Sequence, residues 1–362
     1  MSITALEFFS GLGGLHYGLE FAHPSSKVVA AFDINLHANA CYTHNFSLKP
    51  SDTSIDRLTA AHLDKFNANC WLLSPPCQPY TQGGKSLDER DTRAEGLLRL
   101  VTLLGEVRRR PEFVFLENVP NFEKSTSRAM LVNKLDELRY EIHEFLVSPL
   151  QIGIPNDRRR YYLTARLRSS DTPSDPPTIP YIERATIHTE PRIPSKALPT
   201  PDVDVDPLSA YLEDLTEDEE AAYLIPEHFV TKRHGYRFDI VQPTSQRSAC
   251  FTKAYGSHHV IGSGSFLQTR DFNKQIDPAS HPAVLSLRPR FFTPTEVARL
   301  HAFPVDSSPS SSSPSNTDDS AGMERHGFSF PASITLAQKW RLLGNSLNVR
   351  VVGVLMRDVL FR

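Results

Sequence analysis

Apolar residues in the first half of the chain gather into short blocks, each cut off by a glycine-, proline- or acid-containing turn. Positions 3–9 form such a block and break into Ser10-Gly11-Leu12-Gly13-Gly14, as a strand does on entering a turn. Positions 27–32 (KVVAAF) stop at Asp33, 70–73 stop at Ser74-Pro75-Pro76, and 113–116 (FVFL) stop at Glu117-Asn118. Two more strands are predicted at 141–147 and 161–165. Apolar residues at 97, 98, 100, 101, 104 and 107 suit one face of a helix from about 93 to 107. Strands alternating with helices predict an α/β fold on a mostly parallel sheet. Ligands of such sheets sit beyond the carboxyl ends of the strands, so the polar residues of four distant segments should share one edge.

The pattern changes after about residue 169. Prolines crowd 173–201, and 197–231 hold many acids but no Lys or Arg, which reads as a linker or irregular segment. Order returns over 232–304, and the serine-rich stretch at 307–322 reads as a disordered surface loop. Positions 336–360 predict a helix interrupted at Gly344-Asn345-Ser346. The expected layout is a first domain of residues 1–168 plus 332–362 and a smaller, irregular one at 169–331. The latter contains an acidic, proline-rich segment at 170–231 and a disordered loop at 305–325.

Composition narrows the function classes. At 40% hydrophobic and 22% charged residues, the chain can bury a sizeable core. No apolar run approaches the ~18 residues of a membrane span, and no basic-then-apolar leader opens the chain. No membrane partner is therefore expected; the expected location is the cytoplasm, with the nucleus as an additional one. Four scattered cysteines exclude a disulfide scaffold, and none has zinc-ligand spacing, so no metal is expected. The net charge of −3 argues against a wholly cationic nucleic-acid binder but leaves a local basic face open. Arg108 to Arg110, Lys232-Arg233, Lys253 and Arg288 to Arg290 are available for one.

Four segments carry candidate chemistry. Glycines at 11, 13 and 14 permit a sharp turn and close approach to a ligand. His16 occupies the third glycine position of a GxGxxG fingerprint, which disfavours a pyrophosphate cradle. A cofactor without phosphates, such as S-adenosylmethionine, needs only the close approach, and Asp33 lies where an acid commonly holds ribose hydroxyls. Cys77 follows two prolines that stiffen the backbone, a suitable platform for a nucleophile. Glu117, directly after four apolar residues, should be partly desolvated, which favours proton donation. Arg158 and Arg160 are two apart and on an extended segment would share a face, as suits a phosphate or a base carbonyl. Each segment alone also has an ordinary reading: a tight turn, a buried thiol, a helix-capping acid, a solvated charge run.

Taken in order, SGLGG (10–14), SPPCQP (74–79), ENV (117–119), QxGxPxxRxR (151–160) and GNS (344–346) resemble the motif series of the cytosine-5 methyltransferases of nucleic acids. PPCQPYT (75–81), DIVQPTSQRSACFTKAYG (239–256) and RLLGNSLNV (341–349) resemble the eukaryotic tRNA-aspartate branch of that family. The triplet Cys250-Phe251-Thr252 is the most discriminating mark. The resemblance implies a Rossmann-like S-adenosylmethionine-dependent methyltransferase sheet with a smaller, irregular target-recognition domain. It implies a monomer that takes tRNA, with DNA as the alternative, and yields S-adenosylhomocysteine.

By the same matching, Cys77, Glu117, Arg158 and Arg160 are the catalytic set. Phe9, Ser10, Gly11, Gly13, Gly14, Leu15, Asp33, Ile34, Asp56, Pro76, Asn345 and Ser346 hold the cofactor. Gln78, Pro79, Thr81, Cys250, Phe251, Thr252 and Lys253 meet the substrate. A DNA cytosine-5 methyltransferase is the first rival, and a catalytically silent nucleic-acid-binding protein the second.

Overall fold

Six of the strands expected from the sequence form, and they set the architecture of a computed structural model that describes residues 2–76, 94–169, 181–192, 203–232, 236–257, 263–305 and 327–362. The chain divides into two compact units, one of Met1–Val147, Arg159–Thr200 and Val349–Arg362, the other of Ser148–Arg158 and Pro201–Asn348.

The first unit carries β1 (Thr4–Phe8), β2 (Lys27–Phe32), β3 (Cys70–Leu73), β4 (Phe113–Asn118), β5 (Tyr140–Val147), β6 (Arg160–Leu167) and β7 (Ile187–His188). They form one sheet in the order β2-β1-β3-β4-β6-β5-β7. β1 to β4 run parallel, while β6 is antiparallel to both its neighbours. Helices α1 (Gly14–Ala22), α2 (Leu36–Phe46), α3 (Ala60–Leu63), α4 (Glu95–Glu106), α5 (Thr126–Glu137) and α6 (Tyr181–Arg184) connect them. The central strands are almost wholly buried because they are apolar on both faces, Phe8, Leu72, Phe115 and Leu116 being fully enclosed. α4 turns Leu97, Leu100, Val101, Leu103 and Leu104 into the same core.

Two details differ from the sequence expectation. β4 does not stop before Glu117-Asn118 but includes them, because the antiparallel β6 extends the ladder, pairing Glu117 with Tyr162 and Asn118 with Tyr161. β7, two residues long, was not expected; it adds to β5 through Glu144 and Phe145.

The second unit contains α7 (Glu217–Ala221), α8 (Glu227–Thr231), β8 (Ile240–Val241), β9 (Phe266–Leu267), α9 (His281–Ser286), α10 (Pro294–Leu300) and α11 (Leu336–Gly344). The final helix, α12 (Val349–Leu355), returns to the first unit. Residues 332–348, placed by the sequence with the first domain, pack here with the second unit. Trp340 lies 5.3 Å from the Phe291 ring and donates to the Phe292 carbonyl at 2.9 Å. The described residues 181–192, expected in the second domain, fall in the first unit, where β7 pairs with β5.

The described acidic residues 203–232 are ordered rather than a linker. The backbone N–H of Asp206 donates to Gly153, Leu208 to Ser245, Ser209 to Pro243 and Phe291 to Tyr223, all within 3.0 Å. The Glu296 carboxylate, gripped by Arg290 at 2.7 and 2.8 Å, also accepts from the Glu213 N–H at 3.0 Å. The serine-rich stretch at 307–322 lies outside the described residues. No described helix is long and apolar enough to cross a membrane.

Candidate active site

Parallel strands bring their carboxyl ends to one edge, and the first unit gathers its polar residues there. β1 runs out into Phe9, Ser10 and Gly11, β2 into Asp33, β3 into Ser74-Pro75-Pro76, and β4 ends on Glu117-Asn118. β6 points the other way, so its first residue, Arg160, starts at the same edge.

Glu117 is 7% exposed. One carboxylate oxygen accepts from the Ser74 hydroxyl at 2.9 Å, and the other lies 3.6 Å from Arg160 Nε. The Asn118 side-chain amide donates to the Pro75 carbonyl at 3.3 Å. The loop that leaves β3 is thus tied at its first two residues to the end of β4. Cys77, Gln78, Pro79 and Thr81 follow in that loop and lie outside the described residues; Pro76 is the last one described before them.

The glycine turn is shaped by backbone geometry. Phe9 sits at φ 58, a costly conformation for a bulky residue that tends to mark functional sites, with its ring against Gly96. Gly13 is left-handed at φ 80, and a Cβ there would come within 2.2 Å of Phe46. A Cβ on Gly11 would meet nothing within 4 Å, so this stretch of backbone faces open space. Gly14 opens α1, and Leu15 is buried behind it. The Gly11 N–H donates to the Asp33 carboxylate at 2.8 Å, and the Asn35 N–H donates to its other oxygen at 2.8 Å. Burial holds the Asp33 carboxyl above its ordinary pKa, with the hydrogen bonds from Asn35 and Gly11 acting against it.

These residues fit a nucleoside-bearing cofactor. The buried Ser10 hydroxyl has no hydrogen-bond partner among the described residues, a state that costs about 1–3 kcal/mol unless a ligand completes it. Each Asp33 oxygen keeps a lone pair for a ribose hydroxyl. Ile34, next along, is 69% exposed, an apolar surface suited to an adenine face. Asp56 stands exposed in a short 3-10 turn, where it accepts from the Ser54 hydroxyl.

The second unit brings three sequence-distant motifs together through Arg158. This side chain is 2% exposed. Its guanidinium donates to the Phe251 carbonyl at 2.7 Å, the Gly344 carbonyl at 3.2 Å and the Ser346 carbonyl, and lies 3.1 Å from Cys250 Sγ. The segment before it is not extended, because the N–H groups of Asn156 and Arg158 each close a tight turn two residues back. The two guanidiniums have different partners: Arg158 holds backbone carbonyls, and Arg160 lies beside Glu117. Phe251 is a core residue set edge-on to Tyr255 and Phe292, Thr252 is half-buried and Lys253 is exposed. Asn345 caps the end of α11. Among the described residues, no group of three or more His, Cys, Asp or Glu could hold a metal.

A family model described as C-5 cytosine-specific DNA methylase matches residues 3–360. The chain belongs to that family. It is 34% identical to the tRNA (cytosine(38)-C(5))-methyltransferase of Mus musculus, covering 98% of this chain and 92% of the relative. It is 32% identical to a DNA (cytosine-5)-methyltransferase of Dictyostelium discoideum, covering 98% and 93%. The crystal structure of the S. pombe Dnmt2 methyltransferase superposes with a TM-score of 0.75 at 30% identity, covering 99% of this chain and 98% of that one. The α/β architecture is thus that of this methyltransferase family.

Two buried polar groups differ from the sequence expectation. Arg158, expected in the catalytic set beside Arg160, fastens motifs within the second unit. Glu7, fully buried in β1 beneath the glycine turn, escaped notice; its signal was a lone acid in the apolar run TALEF.

Proposed function

We propose that this protein is an S-adenosylmethionine-dependent tRNA methyltransferase that acts on C5 of an anticodon-loop cytosine, position 38 of tRNA-aspartate. The observation that carries this reading is the paired Glu117 and Arg160 at the strand edge, in a chain 34% identical to a relative named for cytosine 38 of tRNA. A cytosine in a loop is already unpaired, so extruding it costs less than from a duplex.

C5 of cytosine is a weak nucleophile. In the proposed chemistry the Cys77 thiolate bonds to C6, and the displaced π electrons enrich C5. Glu117 holds N3 and the exocyclic amine, keeping N3 protonated while negative charge enters the ring. Arg160, beside it, holds the base carbonyl, and Ser74 fixes the carboxylate that both partners need. S-adenosylmethionine, when bound, supplies the methyl group, with Ser10, Gly11, Asp33 and Ile34 as the residues to hold it. Loss of the C5 proton, to water in this reading, returns electrons to the ring and expels the Cys77 sulfur.

The test is methyl transfer from labelled cofactor to small RNA with wild type and Cys77→Ala, followed by bisulfite sequencing of tRNA-aspartate and of DNA. Label in the tRNA that disappears with Cys77→Ala is expected. Methylation in DNA and never in tRNA would instead support the DNA reading, which the Dictyostelium relative's name favours. RNA bearing 5-azacytidine should trap Cys77; absence of an adduct would leave only a binding role.

A further inference from the structure

We propose that Glu7, Tyr42 and His16 form a buried brace that holds the glycine turn in its cofactor-binding shape, and that they are positioning residues for the methyl donor. The inference rests on the cofactor reading above. Glu7 in β1 is fully enclosed, and its carboxylate accepts from the Tyr42 hydroxyl at 2.7 Å and from the backbone N–H of His16 at 3.3 Å. The Tyr42 oxygen lies 2.8 Å from His16 Nδ1, and His16 Nε2 lies 3.5 Å from the Glu20 carboxylate. The network joins β1, the first turn of α1 and the middle of α2.

Its link to the cofactor turn is direct packing. The His16 ring stacks on Phe46 with centroids 3.9 Å apart and planes within 11°. The rings of Phe46 and Tyr42 are also the surface on which Gly13 rests, since a Cβ there would lie 2.2 Å from one and 3.1 Å from the other. Further along, α2 begins at its cap Asn35, two residues after Asp33, whose carboxylate takes the Gly11 N–H. α2 therefore grips the turn at two points, Gly11 through Asp33 and Gly13 through its rings. The Glu7–Tyr42–His16 bonds fix the ring end of that grip. This also accounts for His16 at a position where a dinucleotide fingerprint has glycine: its side chain fills space in the brace.

No acid, base or nucleophilic step is assigned to the three residues, so their loss should be felt in cofactor binding. The experiment uses the full chain and compares wild type with Tyr42→Phe, Glu7→Ala and Glu7→Gln. The measurements are cofactor affinity by calorimetry, KM for S-adenosylmethionine, KM for tRNA, kcat and the melting temperature. Tyr42→Phe, which removes only the hydroxyl, is expected to raise KM and Kd for the cofactor about tenfold, the worth of one to two hydrogen bonds. kcat at saturating cofactor and KM for tRNA should stay within about twofold. Glu7→Gln, which can still accept from Tyr42, should recover much of what Glu7→Ala loses.

Unchanged cofactor affinity in folded Tyr42→Phe overturns the brace. So does a fall in kcat and both KM values together, tracking melting temperature, since that is general destabilisation. Should Glu7→Ala fail to fold, Tyr42→Phe decides alone. Wild type that binds no S-adenosylmethionine would overturn the cofactor reading itself, and the brace with it.

Discussion

At the scale of single residues, the buried charges divide by what surrounds them. Glu7 has a hydroxyl and one amide for company, with the carboxylates of Asp33 and Glu20 nearby, and burial pushes its pKa up to about 8. The folded chain then holds a proton that the unfolded chain, at an ordinary carboxylate pKa near 4.5, releases. Stability from this group is full below about pH 4.5 and falls as pH rises towards 8, with a limiting slope of about 1.4 kcal/mol per pH unit. Glu7→Gln should flatten the urea-unfolding free energy across that window; an unaltered pH profile would contradict it. Asp33, also raised by burial, acts with the same sign. Arg158 behaves differently because it donates to several backbone carbonyls. Arg158→Met should lower stability by about 3 kcal/mol or more, leaving buried acceptors unmet. Arg158→Lys should recover little, since an ammonium lacks the planar fork that reaches several carbonyls at once. Arg160→Lys, by contrast, should reduce methyl transfer more than stability.

Among elements, strands with apolar runs were legible, and the contacts between distant segments were not. β1, β2 and β3 match their sequence blocks because each is an apolar run packed into the core and the flanking glycines, acids and prolines mark the ends. β7 is two residues in a proline-rich stretch, with no alternation to read, and exists because β5 has an edge to offer. The candidate residues Glu117, Asp33 and the glycine turn lie at strand ends, as the ends of the apolar blocks predict. Arg158 was not legible as a fastener, because its acceptors are backbone carbonyls 93 and 186 positions away, which no side-chain pattern announces. The acidic segment misled because its charge suggested solvent, while its order comes from main-chain bonds to 153, 243 and 245. One such hidden contact gives a clear test. A Cβ on Gly344 would come within 2.1 Å of the Thr252 carbonyl carbon, which is backbone and cannot swing aside. Gly344→Ala should therefore push α11 off the Cys250-Phe251-Thr252 segment and cost about 2 kcal/mol or more in thermal unfolding.

For the whole molecule, the net charge of −3 is an average that hides how its cations are used. The sequence offers Arg288, Arg290, Lys232 and Lys253 as parts of one basic face, but the fold treats them unequally. Arg290 is 3% exposed and locked to Glu296, and Arg288 is 3.4 Å from Glu220. Lys232 and Lys253 are exposed. A cation already neutralised by a buried carboxylate releases no counterions from RNA, whereas an exposed lysine can. If tRNA is the substrate, its affinity should fall with salt, and Lys253→Ala should reduce the slope of log K against log salt by about one. Arg290→Ala should leave that slope alone and lower the melting temperature, because it strands Glu296 without its counter-charge. Binding of tRNA to the folded variants, titrated at several salt concentrations, separates the two effects. A salt slope that changes with Arg290 and not with Lys253 would mean that phosphate contacts are made by residues the fold keeps buried, and would refute this assignment of the basic surface.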